Sequence, residues 1–250
     1  MMKRIKMKKN YIVAVLFSSM VLIGHAFSAP AQEDPYKDIL FLIIDGEYES
    51  AVKQAERITS RDKTRREPVP YIYASMAYFE MSKKEEFQED YPRAFRDAIT
   101  AAYKARRYDR ENEHFPKHAN YINELKAEIM REAIYLFQSE QWRKSTTYAK
   151  YVTRIDPNDV SALLLTGISE VNARNLHQAK TTFETAEEAL KEFSDSDIAF
   201  ENRMSYLFAV LEYAKLMEKD GNKAQAQPYL DAIASVYEDD AEFQNFYESY

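Results

Sequence analysis

The fold is decided by residues 160–190, VSALLLTGISEVNARNLHQAKTTFETAEEAL, because they carry two helical faces joined by a short polar segment. In the second half, Ala179, Phe183 and Ala186 stand at positions zero, four and seven, so they share one face of a helix. In the first half, Leu163 and Gly167 lie about one turn apart on a preceding helix. Small residues let two helices approach closely and large ones fill the remaining space, so this stretch predicts a tightly packed helical hairpin.

The same zero, four, seven pattern occurs four more times along the chain. The leading residues of these copies are Ala51, Ala94, Ser145 and Ala226. Gly46 and Gly221 each lie five residues before a leading alanine, where a left-handed residue is expected to end the first helix of a hairpin. Pro157 follows the third of these four copies, and proline cannot continue a helix. Repetition of the pattern with its turn residues predicts a chain of helical hairpins.

These residues resemble the tetratricopeptide repeat (TPR) family, whose unit is a helix–turn–helix of about 34 residues. Successive leading residues are 43, 51, 34 and 47 positions apart, so one interval matches the family unit. The resemblance implies an all-α fold over residues 32–250, a right-handed α-solenoid of about five TPR-like hairpins. Its clearest repeat is residues 160–190. A plain helical bundle with alanines at the helix contacts is the alternative.

The first 31 residues have the basic start, apolar run and small-residue end that are typical of a secretory signal peptide. Five basic residues between Lys3 and Lys9 precede an apolar run from Tyr11 to about Phe27, and Ala29-Pro30-Ala31 gives a cleavage site. We therefore expect residues 1–31 to be removed and the protein to be exported to the periplasm. An uncleaved membrane anchor is the alternative. The chain has no cysteine, so it cannot be a lipoprotein anchored at that point.

Composition excludes several classes of function. Loss of residues 1–31 removes five basic and no acidic residues, which changes the formal charge from −7 to −12 and argues against nucleic-acid binding. No later segment is apolar enough to cross a membrane. With three glycines left and no cysteine, the common nucleophile and phosphate-loop motifs cannot be built, so we expect no catalysis and no cofactor. His114 and His118 are separated by Pro116, so we expect no metal site.

The predicted function is binding of a protein or peptide partner in the bacterial cell envelope, as a scaffold. In TPR-like solenoids the first helices line a concave groove, and aligning them predicts which side chains face it. We call the following residues the concave groove: Tyr73, Met76, Phe79, Met130, Arg131, Ile134, Phe137, Leu165 and Ile168. Such an apolar groove suits an amphipathic or extended segment. Two alternatives stay open: the residues pack on a neighbouring helix, or their aromatic rings bind a glycan.

Residues 238–250 predict a short C-terminal helix with an aromatic stripe. Phe243, Phe246, Tyr247 and Tyr250 recur at helical spacing in an acidic segment. The last repeat of a solenoid would otherwise expose its core, so we expect this helix to cap the repeat by packing on Leu230 and Ile233. A free tail that docks its aromatic residues into a partner is the alternative.

Overall fold

The computed structural model describes residues 34–250, so the predicted signal peptide at residues 1–31 lies outside the described residues. The described chain forms eleven α-helices and no strand. The helices are α1 Lys37–Ile44, α2 Tyr48–Thr59, α3 Pro68–Ser82, α4 Ala94–Tyr108, α5 Ala119–Gln138, α6 Trp142–Ile155, α7 Val160–Asn172, α8 Leu176–Lys191, α9 Arg203–Lys219, α10 Lys223–Ile233 and α11 Ala241–Ser249. The all-α prediction is confirmed.

The helices pack mainly against their neighbours in sequence order. Helices α1 to α10 form five hairpins, and α11 follows the fifth. The two helices of each hairpin pack together, α2 packs on α3, and α6 packs on α7. First helices also meet across hairpins, as α7 does with α9. This order of contacts is that of a helical repeat, in which each hairpin covers the apolar face of the next.

Four of the five hairpins turn in the same way. Gly46 and Gly221 have φ of 80° and 73°, and Glu140 and Arg174 occupy the corresponding positions with φ of 57° and 62°. In each of these turns the following residue donates its backbone N–H to the carbonyl five positions back, at 2.7 or 2.8 Å. That bond satisfies a carbonyl left open at the end of the first helix. The second hairpin instead has a longer connection, residues 83–93, with a 3-10 turn at Glu85–Phe87.

The small residues of the repeat lie where the helices touch. All five leading residues are buried, and Ser75, Ala133 and Ala214 are buried on the first helices. A Cβ atom added to Gly167 would lie 2.3 Å from Cε1 of Phe183, closer than carbon atoms pack. The predicted close helix contact at Gly167 is therefore confirmed. It exists because the backbone of α7 lies directly against an aromatic ring of α8.

The C-terminal helix α11 packs on the fifth hairpin. It starts at Ala241 rather than near residue 238, because the side chain of Asp240 accepts the backbone N–H of Phe243 and caps the helix. Phe243 is fully buried. The hydroxyl of Tyr247 donates to Asp231 on α10 at 2.7 Å, and that of Tyr250 donates to the Ala214 carbonyl on α9 at 3.2 Å.

No helix among residues 34–250 is long and apolar enough to span a lipid bilayer.

Candidate functional site

Most residues of the concave groove are buried inside the chain. They lie on α3, α5 and α7, as the alignment of first helices predicts. Seven of the nine are buried: Tyr73, Phe79, Met130, Ile134, Phe137, Leu165 and Ile168. Met76 is half-buried, and Arg131 is exposed and paired with Glu128. The apolar part of the concave groove thus belongs to the core of this structure.

The chain itself covers these residues. The turn Phe200–Asn202 and α9 lie against α5, and the ring of Phe208 meets that of Phe137 at a centroid distance of 5.7 Å. Within the earlier hairpins, Tyr121 covers Phe79 at 6.0 Å. The alternative in which these apolar residues pack on neighbouring helices therefore describes the seven buried ones. Their aromatic rings leave no open face for a sugar, which removes the basis for a glycan site among them.

Buried charges join the third hairpin to the fourth. The ammonium of Lys126 lies 2.6 Å from Asp156 and 2.8 Å from Asp159. Burial alone would raise the pKa of Asp159, but the charge and hydrogen bond of Lys126, with bonds from Ser161 and the Ala162 N–H, outweigh it and lower that pKa. Asp159 is thus held as a carboxylate, and its role is to cap α7 and to hold the two hairpins together.

A second buried carboxylate strengthens the same junction. Glu170 on α7 accepts from Lys150 on α6 at 2.6 Å and from the hydroxyl of Thr182 on α8 at 2.8 Å. Ser145 and Ser169 are hydrogen-bonded at 3.0 Å between α6 and α7. Every one of these groups is satisfied by a neighbour in the fold, so we assign them to stability.

The two histidines singled out in the sequence lie in a capped turn. The carboxylate of Asp109 accepts the backbone N–H groups of Glu113, His114 and Phe115 at 2.9–3.0 Å. The ring of His118 packs edge-on against Tyr73 at 5.6 Å. Among residues 34–250 no group of three or more carboxylate or histidine side chains is arranged to hold a metal ion.

An open cleft of 660 Å³ separates α8 from α10, and we call it the aromatic cleft. Its floor is made by the half-buried Phe183 and by Tyr213 and Tyr229, which are buried beneath it. The ring of Tyr213 meets those of Phe183 and Tyr229 at centroid distances of 5.0 and 5.2 Å. Leu176, at the mouth, is 65% exposed. Burial, and next the nearby carboxylate of Glu187, raises the pKa of Tyr213 to about 12, so its hydroxyl stays neutral at physiological pH. The cleft offers an apolar surface with acidic side chains at its rim.

A second open cleft of 470 Å³ lies where the third and fourth hairpins turn, and we call it the Trp142 cleft. Trp142 packs edge-on against Phe137 at 4.8 Å. The charged side chains that line the cleft are Glu140, Arg143, Lys144 and Arg174. Three of these four are basic, on a chain whose formal charge is −7. The lining of the cleft is therefore positive on balance, opposite in sign to the chain as a whole.

The spacing of the repeat accounts for the positions of Trp142 and Leu176 but not for their access to solvent. Each begins the second helix of its hairpin, three positions before a leading small residue. The pattern fixes the helix on which each lies and leaves open whether the next hairpin covers it. Glu140 and Arg174 were missed entirely, although their position, five residues before Ser145 and Ala179, matches that of the turn glycines.

Comparison with models of known protein families and with curated protein sequences finds no match to this chain.

Proposed function

We propose that this protein is a non-catalytic scaffold that binds a protein or peptide partner in the bacterial cell envelope, after export and removal of residues 1–31. We further propose that its five hairpins form a right-handed TPR-type solenoid. The order of helix contacts and the shared turn geometry support a repeat of hairpins, and the right hand is what the resemblance to TPR proteins implies. The observation that carries the binding function is the aromatic cleft, an open apolar surface in a chain whose concave groove is filled.

The aromatic cleft suits an apolar segment flanked by Lys or Arg. Phe183, Leu176 and Pro228 supply apolar surface, and large exposed apolar surfaces mark interaction sites. Glu184 and Glu187 stand at the rim with one lysine, Lys180, so the rim is acidic on balance. Basic side chains beside the apolar anchor would pair with these carboxylates and select for this partner chemistry.

Paired substitutions at exposed apolar residues test the proposal. Leu176→Asp places a charge in the mouth of the aromatic cleft. Phe200→Asp is the matched control, because Phe200 is 79% exposed and does not line the cleft. Both variants should keep the wild-type melting temperature, since neither side chain is buried.

The measurement is affinity purification from envelope extracts with mass spectrometry, using the wild type and both variants. We expect a protein that is retained by the wild type and by Phe200→Asp, and lost by Leu176→Asp. If Leu176→Asp retains every protein that the wild type retains, the aromatic cleft is not the binding surface.

A further inference from the structure

Three features of the residues that line the Trp142 cleft are unfavourable for folding stability. Glu140 and Arg174 both have positive φ, a conformation unfavourable for residues with a side chain. Arg143 and Lys144 lie in the first turn of α6, where the helix dipole disfavours positive charge, and no acidic residue stands there to offset them. Unfavourable local choices that converge on one open cleft point to binding rather than to stability.

The chemistry of this cleft fits a small ligand with a carboxylate. Arg143, Lys144 and Arg174 supply charge-assisted hydrogen-bond donors. Lys144 is already oriented, because its ammonium donates to the side-chain oxygen of Gln141 at 2.8 Å. A bound anion would offset the repulsion among the three basic side chains and with the dipole of α6. The volume of 470 Å³ lies within the range of small-molecule sites, about 300–1,000 Å³.

We propose that the Trp142 cleft binds an acidic sugar, with the sugar ring against the indole and the carboxylate held by the basic side chains. The indole offers a flat apolar face, and Gln141 and Asn172 offer amide groups for sugar hydroxyls. An acidic peptide would use the same charges and amides, but its Asp and Glu side chains offer no ring to pack against the indole. This site is separate from the aromatic cleft, so the inference stands or falls independently of the proposed function.

The turn geometry supplies a matched pair of variants that separate binding from folding. Arg174→Gly and Glu140→Gly both replace a residue of positive φ by glycine, so both should fold at least as well as the wild type. Arg174→Gly removes a cation from the cleft and should weaken binding by about tenfold or more, the effect of one charge-assisted hydrogen bond. Glu140→Gly removes the one anion that lines the cleft and should bind more tightly than the wild type, because it no longer repels the ligand carboxylate.

The assay is titration with trigalacturonic acid, followed by tryptophan fluorescence and calorimetry. Trp142 is the only tryptophan in the chain, so its emission reports on this cleft alone. We expect saturable binding of trigalacturonic acid, weak or absent binding of the neutral sugar maltotriose, and loss of binding in Arg174→Gly but not in Glu140→Gly or Leu176→Asp.

Four outcomes would overturn the proposal. The first is that trigalacturonic acid does not bind. The second is equal binding of maltotriose, which would remove the role of the carboxylate. The third is equal or tighter binding of a blocked peptide of alternating Asp and Glu, which would reassign the cleft to proteins. The fourth is wild-type affinity in Arg174→Gly.

Discussion

The third and fourth hairpins are joined by buried charges, whereas the fourth and fifth are joined by aromatic rings and leave a cleft open between α8 and α10. At the first junction Lys126 and Asp159 form an ion pair with little access to water. At the second, Phe183 meets Tyr213, and Phe193 stacks on Tyr206 at 5.6 Å. The same hairpin unit is therefore joined to its neighbours in two ways. Specific buried charges fix one junction, and aromatic contacts at the other leave an open apolar surface.

The largest expected loss of stability comes from removing α11, which packs on the fifth hairpin. Truncation before Glu238 removes α11 and with it Phe243, a fully buried side chain whose loss alone should cost about 3–5 kcal/mol. Thermal and urea unfolding should show a large loss of stability, with partner binding reduced in proportion. The exposed substitution Glu242→Ala is the control and should change little. An unchanged melting temperature together with lost partner binding would instead make the C-terminal helix a docking tail.

Breaking the charged junction should be nearly as costly. Lys126→Met leaves Asp159 buried without its main counter-charge, and loss of one partner of a buried ion pair costs about 3–5 kcal/mol. Urea unfolding measures the effect. Lys83→Met is the control, because Lys83 bridges Glu80 and Glu124 near the surface and should contribute about 1 kcal/mol or less. Equal effects from both substitutions would contradict the view that buried charges hold this junction.

A smaller loss of stability is expected from enlarging Gly167, which contacts Phe183 in the floor of the aromatic cleft. Gly167→Leu would force the ring of Phe183 away from α7 and should destabilise the protein by about 1–3 kcal/mol. Because Phe183 forms part of the cleft floor, partner capture should fall as well. Gly167→Ala should show the same two effects at smaller size. Wild-type stability in Gly167→Leu would show that the helices at this contact separate without cost.

The smallest expected changes in the free energy of unfolding come from substitutions in the hairpin turns. Glu140→Gly should raise the free energy of unfolding by about 0.5–1 kcal/mol, because glycine adopts positive φ without steric conflict. Gly46→Ala and Gly221→Ala should lower it by a similar amount, since φ, and not space, is the constraint at both positions. Chemical unfolding of the three variants is the measurement. Destabilisation by Glu140→Gly would mean that its side chain supports the turn.

The helices and their pairing could be predicted from the sequence because they depend on local periodicity and small residues. Gly167 is an example, since a residue without a side chain among large apolar ones indicates a close helix contact. The number of residues between successive leading residues does not predict which hairpins leave a cleft between them. Ala94 and Ser145 are 51 residues apart, yet α4 packs on α6, whereas α8 and α10 border a cleft.

The filling of the concave groove could not be predicted because it depends on contacts between residues distant in the sequence. Phe137 and Phe208 are 71 positions apart, and their contact follows from how the residues between α8 and α9 cross over to α5. Helical periodicity identifies a face and does not say what covers it. The same limit applies to Trp142, because helical spacing places it at the start of α6 without showing that it borders an open cleft.

Site-specific photo-crosslinking in intact cells would show whether a partner lies in the aromatic cleft. A photoreactive phenylalanine analogue at Gln225 would report on the aromatic cleft, and one at Tyr135, which is 61% exposed on α5, would report on the helix of the filled groove. We predict a defined adduct from Gln225, mapped by mass spectrometry to an apolar partner segment flanked by Lys or Arg, and none from Tyr135. An adduct from Tyr135 with none from Gln225 would contradict the assignment of the aromatic cleft as the partner-binding surface.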